Sequence, residues 1–223
     1  TVDKLFCMFD EHLENKGLIS HKGTIVDATF VDAPRQRNSR DENKKIKNGV
    51  IPEEWEKPEN KSKLAQKDID ADWTKKNGER HFGYKDHVKC DADSKLITNY
   101  SVTSASVHDS QRCLVFIGQE DEVLYADSAY SGKPIALALP ENCKNQICEK
   151  GYRNSPLTSE QKMNNRRKSR IRCRIEQIFG FMTGAMHGIT IRSIGITRAW
   201  MNIGITNLVY NFCRYSYLKR ASA

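Results

Sequence analysis

Two short runs of β-branched and aromatic residues each end on an aspartate: Thr24-Ile25-Val26-Asp27, and Val123-Leu124-Tyr125-Ala126-Asp127. Runs of this length and composition suit buried strands. A strand that closes on a carboxylate delivers it to a fixed point at the sheet's edge. Between the two runs, residues 81–90 alternate in the manner of a half-buried strand, Asp91-Ala92-Asp93-Ser94 makes a turn, and residues 96–102 return. Residues 81–102 therefore read as a hairpin. Asp109 is placed to cap a helix running to about Ile117, and a short helix begins near Lys133. Residues 143–160 show no period. An amphipathic pattern over 3–18, stopped by Gly17, predicts a first helix, and helices are expected over 157–180 and 195–217. Strand, hairpin, helix, strand and helices in this order describe an α/β fold, a mixed sheet with helices packed on it.

One segment breaks that rhythm. From Arg35 to Arg80, half of the 46 residues are charged, with nearly balanced signs and little periodicity. Composition alone points to a solvated or disordered excursion after the first strand. Trp55 and Trp73 speak against plain disorder, since tryptophans in a charged segment need something to dock on.

Charge separates the two ends of the chain more sharply than the net +8 suggests. Residues 1–150 carry 23 Lys/Arg against 26 Asp/Glu, whereas residues 151–223 carry 13 Lys/Arg and only two acids, Glu160 and Glu176. A cationic third almost without acids is the footprint of a polyanionic partner. Its densest part is Arg166, Arg167, Lys168, Arg170, Arg172 and Arg174. On a helix Arg167, Arg170 and Arg174 share one side with Arg166 nearby, while Lys168 and Arg172 run beside Glu176. Such cations hold phosphates without reading bases. The seven cysteines are scattered and form no Cys-x-x-Cys pair, so free thiols in a reducing cytoplasm are expected. No apolar run is long enough to cross a bilayer, and the first residues lack the layout of a signal peptide.

Asp27, Asp127 and Glu176 together have the donor chemistry of a divalent-metal site. Magnesium takes hard oxygen ligands and keeps several waters, so few carboxylates suffice, and two such ions can activate and stabilise the oxygens of a displacement at phosphorus. Intervals of 100 and 49 residues leave the convergence to the tertiary fold. Turn-forming aspartates, and a Glu176 paired with Arg172 one helical turn earlier, are the plain alternative. Two readings stand for Lys85, a phosphate-neutralising lysine on a strand facing the site or an ordinary exposed one. His108 and Asp109 also carry two readings, as neighbours of the metals or as a helix cap and its flank.

Several longer motifs resemble a known family. Residues 23–29 (Gly-Thr-Ile-Val-Asp-Ala-Thr), 34–40 (Pro-Arg-Gln-Arg-Asn-Ser-Arg) and 66–68 (Gln-Lys-Asp), with 73–78 (Trp-Thr-Lys-Lys-Asn-Gly), form the first part of the match. It continues through 82–85 (Phe-Gly-Tyr-Lys), 106–111 (Ser-Val-His-Asp-Ser-Gln), 125–130 (Tyr-Ala-Asp-Ser-Ala-Tyr) and 172–180 (Arg-Cys-Arg-Ile-Glu-Gln-Ile-Phe-Gly). In these the chain resembles DDE transposases of bacterial insertion sequences, of the insertion-sequence-5 group in the insertion-sequence-4 superfamily. The resemblance implies a ribonuclease-H-like core over 21–220, with a polar insertion at 35–80, behind a helical remnant of an N-terminal region at 1–20. It implies Asp27, Asp127 and Glu176 as the Mg²⁺ triad, with Mn²⁺ able to substitute.

The partners it implies are double-stranded DNA, both terminal inverted repeats and target, and a homodimer or higher assembly on that DNA in the bacterial nucleoid. Arg172 matches the arginine of the Tyr-Arg-Glu-Lys signature, while Ser169 and Thr183 stand in its Tyr and Lys places. The resemblance also implies that the 35–80 insertion becomes ordered on DNA or on a second subunit. The activity expected is cleavage at element ends followed by transfer of the 3′-hydroxyl to target DNA. A metal nuclease without strand transfer and a non-catalytic DNA-binding remnant are the alternatives.

Overall fold

The computed structural model describes residues 1–76 and 78–221; Asn77, within the 73–78 motif, lies outside the described residues. Its centre is a six-stranded mixed sheet. The strands are β1 (Thr24–Asp32), β2 (Asp72–Lys76), β3 (Glu79–Asp91), β4 (Ile97–Ser104), β5 (Val123–Tyr125) and β6 (Lys144–Asn145). β3 pairs antiparallel with β1 along one edge, from Asp32 opposite Gly83 to Thr24 opposite Asp91. Along its other edge β2 and β4 lie end to end, both antiparallel. β5 runs parallel to β1, and β6 parallel to β5. The path β4-β3-β1-β5-β6 is the ribonuclease-H-like arrangement, three antiparallel strands followed by two parallel ones.

The two faces of the sheet are covered by different helices, as a strand's period of two requires. Ile25, Val88, Cys90 and Val102 pack under α8 (Arg174–Gly184) and α9 (Ile196–Ala221), whose Ile175, Ile178, Met182, Ala199 and Ile203 complete that core. α1 (Val2–Asn15) adds Phe6 to the same side. On the opposite face Val26, Leu124 and Ala126 meet α5 (Ser110–Phe116) and α6 (Lys133–Ala138) through Cys113, Phe116 and Ile135. α9 is docked by polar pins as well as by apolar area. Asn211 accepts from the Ile97 N–H at 2.9 Å and donates to the Ile97 carbonyl at 2.7 Å, which completes an edge-strand residue as a neighbouring strand would. No described helix is long and apolar enough to cross a membrane.

Three expectations change. The helix expected over 157–180 is two helices, α7 (Ser159–Arg172) and α8, broken at Cys173. The segment without a period at 143–160 contributes the two-residue β6. The 35–80 excursion, solvated or disordered by composition alone, carries regular elements. It holds α2 (Arg40–Lys47), α3 (Glu53–Glu56) and α4 (Lys61–Ala65) before β2. Ser39 and Glu42 form a reciprocal capping box on α2, a device that satisfies two otherwise unpaired amides.

Trp55 is the insertion's own core: its side chain is fully buried, its indole N–H donates to Glu42 at 2.7 Å, and Lys63 and Lys67 lie over its ring. Asp68, itself buried, takes the Tyr84 hydroxyl at 2.7 Å and the amides of Asp70 and Ala71, which ties the insertion to β3. Gly83 marks the junction. Its φ of 147° and the closeness of the Val31 carbonyl and Ala33 amide leave no room for a Cβ.

Asp86 of β3 is fully buried beneath α9, where burial raises its carboxyl pKa to about 8. Its Oδ1 accepts from Asn207 Nδ2 at 3.2 Å, while its Oδ2 and Asn207 Oδ1 are both buried and unpartnered. A proton on Oδ2 supplies the donor that both lone atoms lack, so the native pair is an acid and an amide. The folded state therefore holds this proton to higher pH than the unfolded chain, and stability falls as pH rises from about 4 toward about 8. Asp86→Asn is expected to raise the melting temperature at pH 8 by roughly 4–8 °C, about 2 kcal/mol of removed charge burial. At pH 5 the gain should shrink, and paired melts at the two pH values read the difference.

Candidate active site

The pairing of β1 with β5 decides where the aspartates go. Ile25 stands opposite Tyr125 in the parallel register, and two residues further along each chain Asp127, just past the end of β5, is close enough to act on the charge of Asp27. Asp27 takes the sheet face covered by α8, because it shares the side of Ile25. Asp27 is largely covered, at 13% side-chain exposure. Burial raises its pKa to about 6, and Asp127 pushes in the same direction, while the Ala28 amide and Arg172 pull it down. Asp127 caps a 3₁₀ turn at 128–130, with Oδ1 accepting from the Ala129 amide at 2.7 Å.

Glu176 reaches this edge from the first turn of α8, anchored by its buried neighbour Ile175. One guanidinium ties it in. Arg172 Nη1 donates to Asp27 Oδ2 at 2.8 Å and Nη2 to Glu176 Oε1 at 2.6 Å. The pair expected between Arg172 and Glu176 is thus present, and the same arginine also holds a strand aspartate 145 residues away in sequence. The break at Cys173 separates the arginine's helix from the glutamate's. The donor set fits a divalent cation: three carboxylates of hard oxygens, two already gathered on one positive charge and the third beside them.

The six cations of 166–174 do different jobs. Arg166, Arg167 and Arg170 are exposed on α7. Lys168 donates to the Ile147 carbonyl at 3.0 Å, and Arg174 turns away to the Ala92 carbonyl and Asp93. Those two brace loops. In the places of the signature's Tyr and Lys, Ser169 lies 3.7 Å from the Cys148 thiol and Thr183 bonds back to the Phe179 carbonyl at 2.9 Å.

Lys85 differs from the reading that put it on a strand facing the site. Asp27 pairs with Val88, so Lys85, three residues away, faces the opposite layer. There it is buried, 2.7 Å from Asp109 and donating to the Val107 carbonyl at 2.6 Å. Asp109 in turn makes no side-chain cap on α5, because it is the counter-ion of Lys85. His108 is exposed and bonded to Ser110 at 2.8 Å.

Tyr130 enters the sequence only as the last residue of the 125–130 motif, with no role of its own. Its buried hydroxyl has no partner among the described residues, and burial together with Asp27, Asp109 and Asp127 holds its pKa far above the usual range. A separate group, His21, Glu120 and Asp121, brings ligand-type atoms within 4.8 Å of one another, closer together than the carboxylates of Asp27, Asp127 and Glu176 stand. It sits at the far end of β1, and its Asp121 is already neutralised by Lys89 at 2.9 Å and held by Thr24 at 2.6 Å. The seven cysteines are free, Cys143 and Cys148 among them.

Residues 19–212 match the family described as the transposase DDE domain. The chain belongs to that family. It is 30% identical over 189 residues to the transposase for insertion sequence element IS1106 of Neisseria meningitidis serogroup B, covering 81% of this chain. The chain spans 61% of that relative's length. No solved structure matches it. Asp27, Asp127 and Glu176 all lie within the matched span.

Removing the bridging arginine leaves two carboxylates uncompensated beside a third. Arg172→Met is expected to lower the melting temperature in EDTA by roughly 4–8 °C, about 2 kcal/mol for a half-buried pair. Added Mn²⁺ should restore more of that loss than Na⁺ at equal ionic strength. Equal rescue by both salts would contradict a converging carboxylate site.

Proposed function

We propose that this domain catalyses metal-dependent cleavage of DNA at the ends of an insertion sequence of the insertion-sequence-5 group, then joins the freed 3′-hydroxyl to target DNA. The observation that carries the proposal is the Arg172 bridge between Asp27 and Glu176, with Asp127 in register alongside. It gathers carboxylates that are otherwise remote in sequence at one half-open edge.

Asp27, Asp127 and Glu176 are the residues that would hold Mg²⁺ or Mn²⁺. Bound there, the metals supply activation of the attacking oxygen and stabilisation of the leaving one. The chain's own part is positional. β1 and β5 fix the two aspartates, α8 brings Glu176, and Arg172 keeps Asp27 and Glu176 pointed at one place. Arg172 is also the cation nearest the carboxylates, suited to neutralising a phosphate brought there. Arg166, Arg167 and Arg170, exposed on the preceding helix, are suited to holding the duplex by its phosphates. Lys85 has no part in this reading, because its charge is spent on Asp109. Joining two ends calls for two copies of the domain, so a homodimer on DNA belongs to the proposal, with inverted repeats and target as its DNA partners.

Nicking of supercoiled plasmid tests the chemistry. The wild type is expected to nick with Mg²⁺ or Mn²⁺ and not in EDTA. Asp27→Asn, Asp127→Asn and Glu176→Gln keep the side-chain shape and should each lose roughly a thousandfold, the several kcal/mol that a positioned metal contributes. Pre-cleaved ends offered with a target plasmid then separate a transposase from a nuclease. Nicking that survives all three substitutions would end the proposal.

A further inference from the structure

The insertion carries a second cationic surface that the catalytic edge does not use. α2 and the β2–β3 hairpin enclose a groove of about 580 Å³ lined by Arg40, Lys44, Lys47, Lys75 and Arg80, with Trp73 at its base. All five cations are exposed, and among the described residues none has a carboxylate within ion-pair distance. Asp72 is the only acid in the lining, and its Oδ1 accepts from the Trp73 amide at 2.7 Å. Elsewhere in the insertion Glu42 lies within 3.6 Å of Lys63 and caps α2, whereas around the groove the cations outnumber the acids five to one. Five unmatched cations converging on one concavity face a repulsive cost that a bound polyanion removes.

Strand register places the groove relative to the carboxylates. Trp73 pairs with Phe82 and Lys75 with Arg80, whereas Asp27 pairs with Val88. Residues 80, 82 and 88 share one face of β3, so Lys75 and Arg80 leave the sheet on the side of Asp27. The separation from Val88 to Phe82 is six residues, about 20 Å along the strand, or roughly six base pairs of duplex DNA.

We infer that the groove between α2 and the β2–β3 hairpin is a second backbone-binding surface for duplex DNA, gripping the stretch about six base pairs from the phosphate held at Asp27, Asp127 and Glu176. This rests on DNA being the substrate of the catalytic edge. The contacts assigned are to phosphates, which exposed cations around one concavity hold without reading sequence. The insertion lengthens the DNA footprint and adds affinity without adding selectivity.

The test is the salt dependence of duplex binding by the whole chain. Each phosphate contact contributes about 0.9 to the slope of log K against log salt concentration. The combined substitution Arg40→Gln, Lys44→Gln, Lys47→Gln and Lys75→Gln is expected to reduce the slope by roughly 2–4. A matched control that removes four cations elsewhere, Lys4, Lys16, Lys133 and Lys219 each to Gln, should change it by less than about 1. Lys44→Arg, Lys47→Arg and Lys75→Arg together should keep the wild-type slope, which excludes a folding defect as the cause. Equal slopes for the groove variant and the control overturn the inference. Plasmid nicking is scored separately. Nicking with no change of slope rejects the groove and leaves the catalytic proposal intact; a reduced slope in a chain that never nicks keeps the groove and rejects the catalysis.

Discussion

Everything in this domain is referred to β1. Nine antiparallel pairs join it to β3 and two parallel ones to β5, and its alternate side chains look into two different cores. That double pairing, antiparallel on one edge and parallel on the other, sets Asp27 beside Asp127 and gives α8 a surface on which to land. A slip of one residue in either register would send an aspartate into the opposite layer, because side chains alternate strictly. The chemistry of the edge is therefore inherited from backbone pairing, with side-chain bonds trimming the last few degrees of freedom.

Arg172 illustrates the trimming. Of the three carboxylates, Asp27 bears both its own burial and the charge of Asp127, as its elevated pKa records. A single planar guanidinium answers two of them with bonds of 2.8 and 2.6 Å. Arginine suits this place better than lysine, since its fork spans two acceptors at once. The opposite layer solves a similar problem by full neutralisation: Lys85 with Asp109, and Lys89 with Asp121, are close pairs of nearly buried groups. One face of β3 thus holds its charges closed, while at the neighbouring edge they remain half open.

What the sequence disclosed follows from what periodicity can carry. β1, β3, β4 and β5 announce themselves by β-branched runs and alternation, and α1 and α9 by an apolar stripe. The insertion has neither. Its helices are held by capping and by a single buried tryptophan, Trp55, which charge composition hides. β6 is two residues long and exists only because β5 offers an open edge. The placement of Lys85 failed for a geometric reason: which face a strand residue takes depends on the register with its neighbour, and register is a property of two strands. The Arg172 bridge was half visible. Its spacing to Glu176 is local and legible, but its bond to Asp27 crosses 145 residues and needs the fold.

Gly83 sits where the insertion leaves and rejoins the sheet. It is paired with Asp32 on one edge of β3 and with Asp72 on the other, so the excursion departs and returns on a single rung. The sheet consequently feels the excursion as a loop whose ends are already closed. Closure entropy grows only with the logarithm of loop length, about 0.6 kcal/mol per doubling. The segment between these rungs is thus a cassette: it can lengthen or shorten at small entropic expense to the sheet, provided the glycine at its clasp and the Asp68 bond to Tyr84 are kept.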